Sequence, residues 1–313
     1  MHNFIRFLNR NKNQIIRTIV IIIFVLIIIQ TINYYVKVKN EGEISNNNIL
    51  QNNTILSNEI DKGLVSNTSA ITGENVPTEQ LKNATTVIHD FITYCNEQDL
   101  ESAYNLLTDE CKQQMYTSLE MFKQSYYDYI FNGQKKTCTI ENWYGDTYKV
   151  DINEDILSTG KYNDGYSRQD YITVKEVNNE YKLNINNYIG YTKIDKKTAS
   201  DDITVEVISK NTYKDYEEYT MKVTNNTDGI LKLDNINSTK TLYLEDSNGV
   251  KYSYYNHELT DATLTVASGQ TKEVTIKFYS SYSSTREINY IVFSNINITN
   301  GQLSEKLEFR ANV

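Results

Sequence analysis

From position 18 to position 38 the chain reads TIVIIIFVLIIIQTINYYVKV, and residues 19–29 hold no polar side chain. A helix of about 21 residues rises roughly 31 Å, the thickness of a bilayer core. A soluble helix of that length carries a polar face, whereas isoleucine all round suits lipid. Residues 18–38 are therefore expected to be a transmembrane helix. Arg6, Arg10, Lys12 and Arg17 precede it, while Lys37 and Lys39 beyond it are soon followed by Glu41 and Glu43. This asymmetry predicts a cytoplasmic tail over residues 1–17 and an extracellular remainder. Tyr34 and Tyr35 fall at the outer interface. No small-x-small site follows the apolar run and no cysteine precedes Cys95, so the expectation is an uncleaved, single-pass anchor in the cell membrane.

Charge separates the anchor from the rest of the chain. The 313 residues carry 31 Lys and Arg against 40 Asp and Glu, a formal −9. The six basic residues up to Lys39 are balanced by no acid, which leaves −15 on the rest. Such a surface repels nucleic acid and other polyanions, and no nucleic-acid partner is expected. Residues 39–76 are rich in Asn and Ser without a sustained apolar period, and are expected to form a flexible stalk.

After Pro77 the pattern becomes helical. Leu81, Ala84, Ile88, Phe91, Ile92 and Cys95 recur at three- and four-residue spacing. Leu100, Ala103, Tyr104 and Leu107 mark a short second helix, and Leu119, Phe122, Tyr126, Tyr129 and Ile130 a third that Asn132-Gly133 ends. Strand-like runs follow over residues 138–143, 148–152, 169–177 and 181–186. Three helices and a curved antiparallel sheet make an α+β domain over residues 77–197. From 198 to 313 the period is two, with Val205 and Val207, Met221 and Val223, and Val274, Ile276 and Phe278 each pointing one way between Asn, Asp and Gly turns. Seven to nine short strands in about 110 residues describe an all-β sandwich. The change of period and the charged turn IDKKTASDD predict two parts that fold independently.

The long helix, then NEQDLESAYNLLTDECKQQM, a third helix and YITVKEVNNEYKLNINNYIGYTKI resemble the NTF2-like cone fold over residues 77–195. That resemblance implies a first helix packed on a concave sheet and a cup beneath it. The stretches KVTNNTDGILKLDN, LEDSNGVKY and GQTKEVTIKF resemble the immunoglobulin-like domains of anchored Gram-positive proteins, without the antibody set of Cys, Trp and Cys. The use of Asn, Ile, Lys and 26 Tyr is likewise similar to that of AT-rich Gram-positive bacteria.

Chemistry-bearing residues are sparse. Three histidines, one of them in the tail, cannot build a multi-histidine metal centre, and no metal or cofactor is expected. Cys95, Cys111 and Cys138 lack Cys-x-x-Cys spacing; they read as buried thiols, with a Cys95 to Cys111 disulfide as the alternative. Asp151, Asn153 and Asp155 begin like a calcium loop, but Ile156 stands where the loop needs Gly, so a surface turn is expected. His89, Asp90 and Cys95 point in different directions on one helix and form no catalytic set. The candidate ligand-binding residues are Phe91, Tyr126, Tyr129, Trp143 and Tyr148, large aromatics on the elements that surround the concave sheet of the resembled fold.

The expected function is that of a membrane-anchored extracytoplasmic binding or scaffold protein, not an enzyme, which presents two domains to an envelope protein, a cell-wall component or a ligand. Its bilayer partner contacts residues 18–38. Two alternatives remain. One is a subunit of a secretion or conjugation channel, and the other a small-molecule enzyme using the cup.

Overall fold

A computed structural model of the chain describes residues 63–155, 167–234, 240–299 and 308–313. The expected tail, membrane helix and the stalk up to position 62 lie outside the described residues. Among the described residues no helix is long and apolar enough to cross a membrane.

Pro77 has no N–H to leave unsatisfied, and helix α1 (Thr78–Glu97) starts behind it. The six residues of the apolar stripe are all buried, and the helix ends where Gln98 turns left-handed with φ 62°. Next come α2 (Leu100–Asn105) and α3 (Asp109–Met115), where the sequence predicts a single short helix. The break has a physical cause. Leu106 and Thr108 leave the helix to bond Leu183 at 2.9 and 3.0 Å, and the Thr108 hydroxyl then caps α3 by accepting from the Cys111 N–H at 3.0 Å.

The third predicted helix is irregular: α4 (Leu119–Phe122), a π-helical turn (Lys123–Tyr127) and α5 (Asp128–Ile130). A π turn inserts one extra residue and so rotates the following side chains by about 100°. Tyr126, Tyr127 and Phe131 consequently point inward, while Tyr129 is 62% exposed.

Strands β1 (Lys136–Tyr144), β2 (Thr147–Glu154), β3 (Arg168–Val177) and β4 (Glu180–Asn184) form an antiparallel sheet in chain order. Registers Asn142↔Tyr148, Val150↔Asp170 and Val174↔Leu183 put these side chains on one face. The segment D-x-N-x-D begins inside β2 and is strand for most of its length.

Residues 63–76, read from sequence as the end of the flexible stalk, lie instead along the free edge of β1. Val65 and Ala70 donate to the carbonyls of Ile140 and Asn142 at 2.9 and 2.8 Å, and Ile140 donates to Gly63 at 2.7 Å. A sheet edge binds backbone, so this strap needs no apolar period to dock. Gly63 makes it possible: its φ is +81°, and a Cβ there would lie 2.2 Å from the Cys138 carbonyl oxygen.

The remaining strands are β5 (Tyr188–Ala199), β6 (Ile203–Tyr213), β7 (Glu217–Asn225), β8 (Ile230–Lys232), β9 (Leu242–Asp246), β10 (Lys251–Ser253), β11 (Thr265–Val266), β12 (Thr271–Phe278), β13 (Ile288–Phe293), β14 (Asn297–Thr299) and β15 (Phe309–Asn312). They form antiparallel sheets in the orders β12-β7-β6-β5, β10-β9-β13-β15 and β11-β8-β14. Val205, Val207, Met221, Val223, Val274, Ile276 and Phe278 enter one core with Leu231, Leu244, Ile291 and Phe293 from the other two sheets. Burying such side chains is worth about 1.5–3 kcal/mol each. The described chain is thus α+β first and all-β after, with four antiparallel sheets.

The two parts meet. Strand β5 runs through position 198, where the sequence period changes, and pairs with β6. The Tyr188 hydroxyl donates to Asn211 at 3.0 Å, and Gln114 on α3 donates to the Tyr213 hydroxyl at 3.0 Å and to Glu218 at 3.1 Å. The described residues pack as one unit.

Candidate functional site: a cleft beneath the first helix

The five aromatic residues singled out by sequence do not share one lining. Phe91 and Tyr126 are buried together, 5.8 Å apart, in a cluster with Phe122 and Tyr116 that fills the space between the helices and the sheet. Aromatic packing of this kind closes a cup. Tyr129 stands outside, its hydroxyl accepting from Arg168 at 2.9 Å with the guanidinium 4.4 Å from the ring centre. Trp143 occupies a bulge in β1 and faces the other side of the sheet, 4.8 Å from Tyr171 and 5.9 Å from Tyr282 of the β-rich part. Tyr148 lines a cavity.

That cavity is a cleft of about 380 Å³ between the first turns of α1 and the open end of the sheet, lined by Glu79, Gln80, Asn83, Asp146, Glu176 and Tyr181 among others. Its floor is the Tyr148 ring with Ala84 and Val174. A smaller recess of about 190 Å³ lies between Gln80, the strap and Asn142. The walls follow from local sequence. Gly145, with φ 54°, allows the two-residue β1–β2 turn that carries Asp146 to the rim, and the β3 alternation that buries Ile172 and Val174 brings Glu176 to the same face.

Hydrogen bonding around the floor is incomplete. Gln80 donates to the Gly145 carbonyl at 3.1 Å and to Asp146 at 3.0 Å, and Asn142 donates to Gly145 at 2.7 Å. Asn83 donates to the Tyr181 hydroxyl at 2.8 Å. The Tyr148 hydroxyl and the Asn142 amide oxygen are both buried without a well-formed hydrogen bond, although the Asn142 and Gln80 side chains lie close to the hydroxyl. A buried polar atom in that state costs about 1–3 kcal/mol. Burial pushes the Tyr148 phenol up to about 12, with the Asn142 and Gln80 side chains pulling the other way, so it stays protonated at neutral pH.

Sequence reasoning found Tyr148 and missed its neighbours. A readable signal existed for Asn142: it stands in phase with Cys138 and Ile140, an amide where the alternation calls for an apolar residue. Nothing local marks Glu79 or Gln80, whose place is set by how α1 crosses the sheet.

The other candidates are not joined to this cleft. His89 lies 3.4 Å from the Thr93 hydroxyl one turn along α1, while Cys95 is buried on another face. All three cysteines are free thiols. Glu79, Asp146 and Glu176 rim the cleft without converging as metal ligands, and among the described residues no group of three or more His, Cys, Asp or Glu does. Comparison with protein-family models, with curated proteins and with solved structures finds no match to this chain.

Proposed function

We propose that the chain is a membrane-anchored, extracytoplasmic binding protein that offers the cleft beneath α1 to a ligand or partner of the cell envelope and does not turn it over. In this reading residues 18–38 are the anchor, the α+β part is an NTF2-like cone and the β-rich part an immunoglobulin-like sandwich. A long helix lying across one face of a four-stranded antiparallel sheet, followed by sheets that close on one core, supports both assignments. The observation that carries the binding reading is the cleft itself, whose floor holds a buried hydroxyl without a well-formed hydrogen bond. No histidine, cysteine or serine lines the larger cleft.

A ligand-observed NMR screen of the full-length chain in detergent tests this. Compounds should bind the native protein, release it when Asn83→Trp fills the cleft without changing the melting temperature, and remain chemically unchanged on long incubation. Conversion of a bound compound, or binding indifferent to Asn83→Trp, would overturn the reading.

A further inference from the structure

We infer that the cleft takes a primary ammonium group on a short aliphatic stem, an inference that rests on the binding reading above. The walls are rich in acceptors. Glu79, Asp146 and Glu176 contribute three carboxylates, and no Lys or Arg is among the lining residues. On the sheet, Lys175 and Lys182 are turned away, as register partners on the opposite face of β3 and β4. Lys149, next to Tyr148 on β2, pairs with Glu141 at 3.6 Å and Asp151 at 3.3 Å on that same opposite face.

Two buried oxygens add to this. The Tyr148 phenol and the Asn142 amide oxygen both lack a well-formed hydrogen bond, the first on a residue that lines the cleft and the second on one that lines the adjoining recess. An ammonium group offers three donors and no acceptor, the complement of such a wall. A carboxylate or phosphate would be repelled by the rim. Glu79 sits in the first turn of α1 and offsets the positive end of that helix, which has no side-chain cap.

The apolar floor of Ala84, Val174 and the Tyr148 ring suits methylenes, as lysine stems lie along apolar surface while the charge stays at the rim. A bare metal ion is a poorer fit, since the carboxylates do not converge. Gln80, held to Gly145 and Asp146 beside the Tyr148 hydroxyl, is the side chain a ligand would push aside. The chemistry has two sources, a free diamine or a lysyl side chain presented by a peptide.

Calorimetric titration of the full-length chain separates them, using 1,5-diaminopentane, Nα-acetyl-lysine N-methylamide, the norleucine analogue that lacks the ammonium, N-acetylglucosamine and calcium. Either amine should bind while the norleucine analogue, the neutral sugar and calcium do not. Binding should weaken with salt, and roughly tenfold in the Glu79→Gln/Glu176→Gln double variant. Tyr148→Phe should weaken it about fivefold while leaving the melting temperature unchanged or higher, because the variant removes an unsatisfied buried hydroxyl. A purely structural Tyr148 would give the reverse. Binding of the diamine alone points to a free amine, and of the lysyl compound alone to a peptide. Failure of both amines overturns the inference. If the neutral sugar binds instead and Asn83→Trp abolishes that binding, the ammonium assignment falls while the binding protein stands. Calcium binding in place of the amines would likewise refute it.

Discussion

Asp170 is a buried carboxylate whose hydrogen bonds define a turn. Its oxygens accept from the Tyr126 hydroxyl and from the Asn186 and Asn187 N–H groups, each at 2.9 Å. Both asparagines are left-handed, with φ 61° and 63°, so the carboxylate pins the β4–β5 turn. Burial raises its pKa above the ordinary 3.8, with those hydrogen bonds opposing. For an acid with a raised folded pKa, the native state holds the extra proton. Asp170 therefore contributes stability that is complete below its ordinary value and declines as pH rises through the raised one. Asp170→Asn should flatten that part of the stability profile, losing about 1–2 kcal/mol at acid pH because an amide nitrogen cannot accept, and less as the pH rises through the raised value. Urea melts between acid and neutral pH check this, and an unchanged slope would refute it. The thiols give a second prediction at this scale. Burial pushes Cys111 up to about 12, Cys138 up to about 11 and Cys95 higher still. A disulfide-exchange reagent at mild pH should leave Cys95 and Cys111 unmodified in the folded chain, react slowly with half-buried Cys138, and titrate all three after denaturation.

At the scale of elements, the strap shapes the recess beside the cleft. The strap walls the smaller recess with Ser69, Thr72 and Glu74, and Gly63 anchors it where no other residue fits. Gly63→Ala combines a left-handed alanine with a collision against backbone, a strain of about 1–3 kcal/mol or more. The strap should lift rather than the sheet unfold. Amide hydrogen exchange at Val65 and Ala70 should speed up by roughly tenfold or more while Val150 and Ile172 stay protected. Equal acceleration at all four would mean that the strap is integral to the sheet. The π turn matters differently, since it sends Tyr127 and Phe131 inward to stack at 5.6 Å and leaves Tyr129 outside.

For the whole molecule, the two parts expected to fold independently are in contact at a junction. Trp143 and Tyr144 meet Tyr282, Tyr171 packs against Trp143, and the Lys214 ammonium lies 4.7 Å over the Tyr171 ring. Tyr282 also donates its N–H to the Lys214 carbonyl at 2.7 Å. Trp143→Ala and Tyr282→Ala should each lower stability, with a coupling of about 0.5–1.5 kcal/mol in a double-mutant cycle and no loss of cleft binding. Additive effects would mean the rings do not communicate. A fragment beginning at Ser200 lacks β5 and exposes the whole edge of β6, so it should associate or melt well below the intact chain. A monomeric fragment of equal stability would show independence.

How much of the fold was legible depends on the range of each interaction. The stripe from Leu81 to Cys95, the four strand runs after it and the alternation of Val205, Val207, Met221 and Val223 could be read because each depends on its own residues facing one side. Helix α3 was half legible, as Thr108-Asp109-Glu110 is a start signal, but the bonds to Leu183 that separate it from α2 are long-range. The strap carried no signal, because a docked edge is satisfied by backbone groups that every residue possesses. By itself the sequence determined the apolar run of residues 18–38, the order of helices before strands and the apolar faces. The tertiary structure alone decided that Phe91 and Tyr126 fill the core while Tyr148 floors a cleft, and that Gln80, Asn142, Asp146 and Glu176 gather around it. Periodicity tells which side of an element is buried. Whether the buried side meets another ring or a space depends on residues scores of positions away.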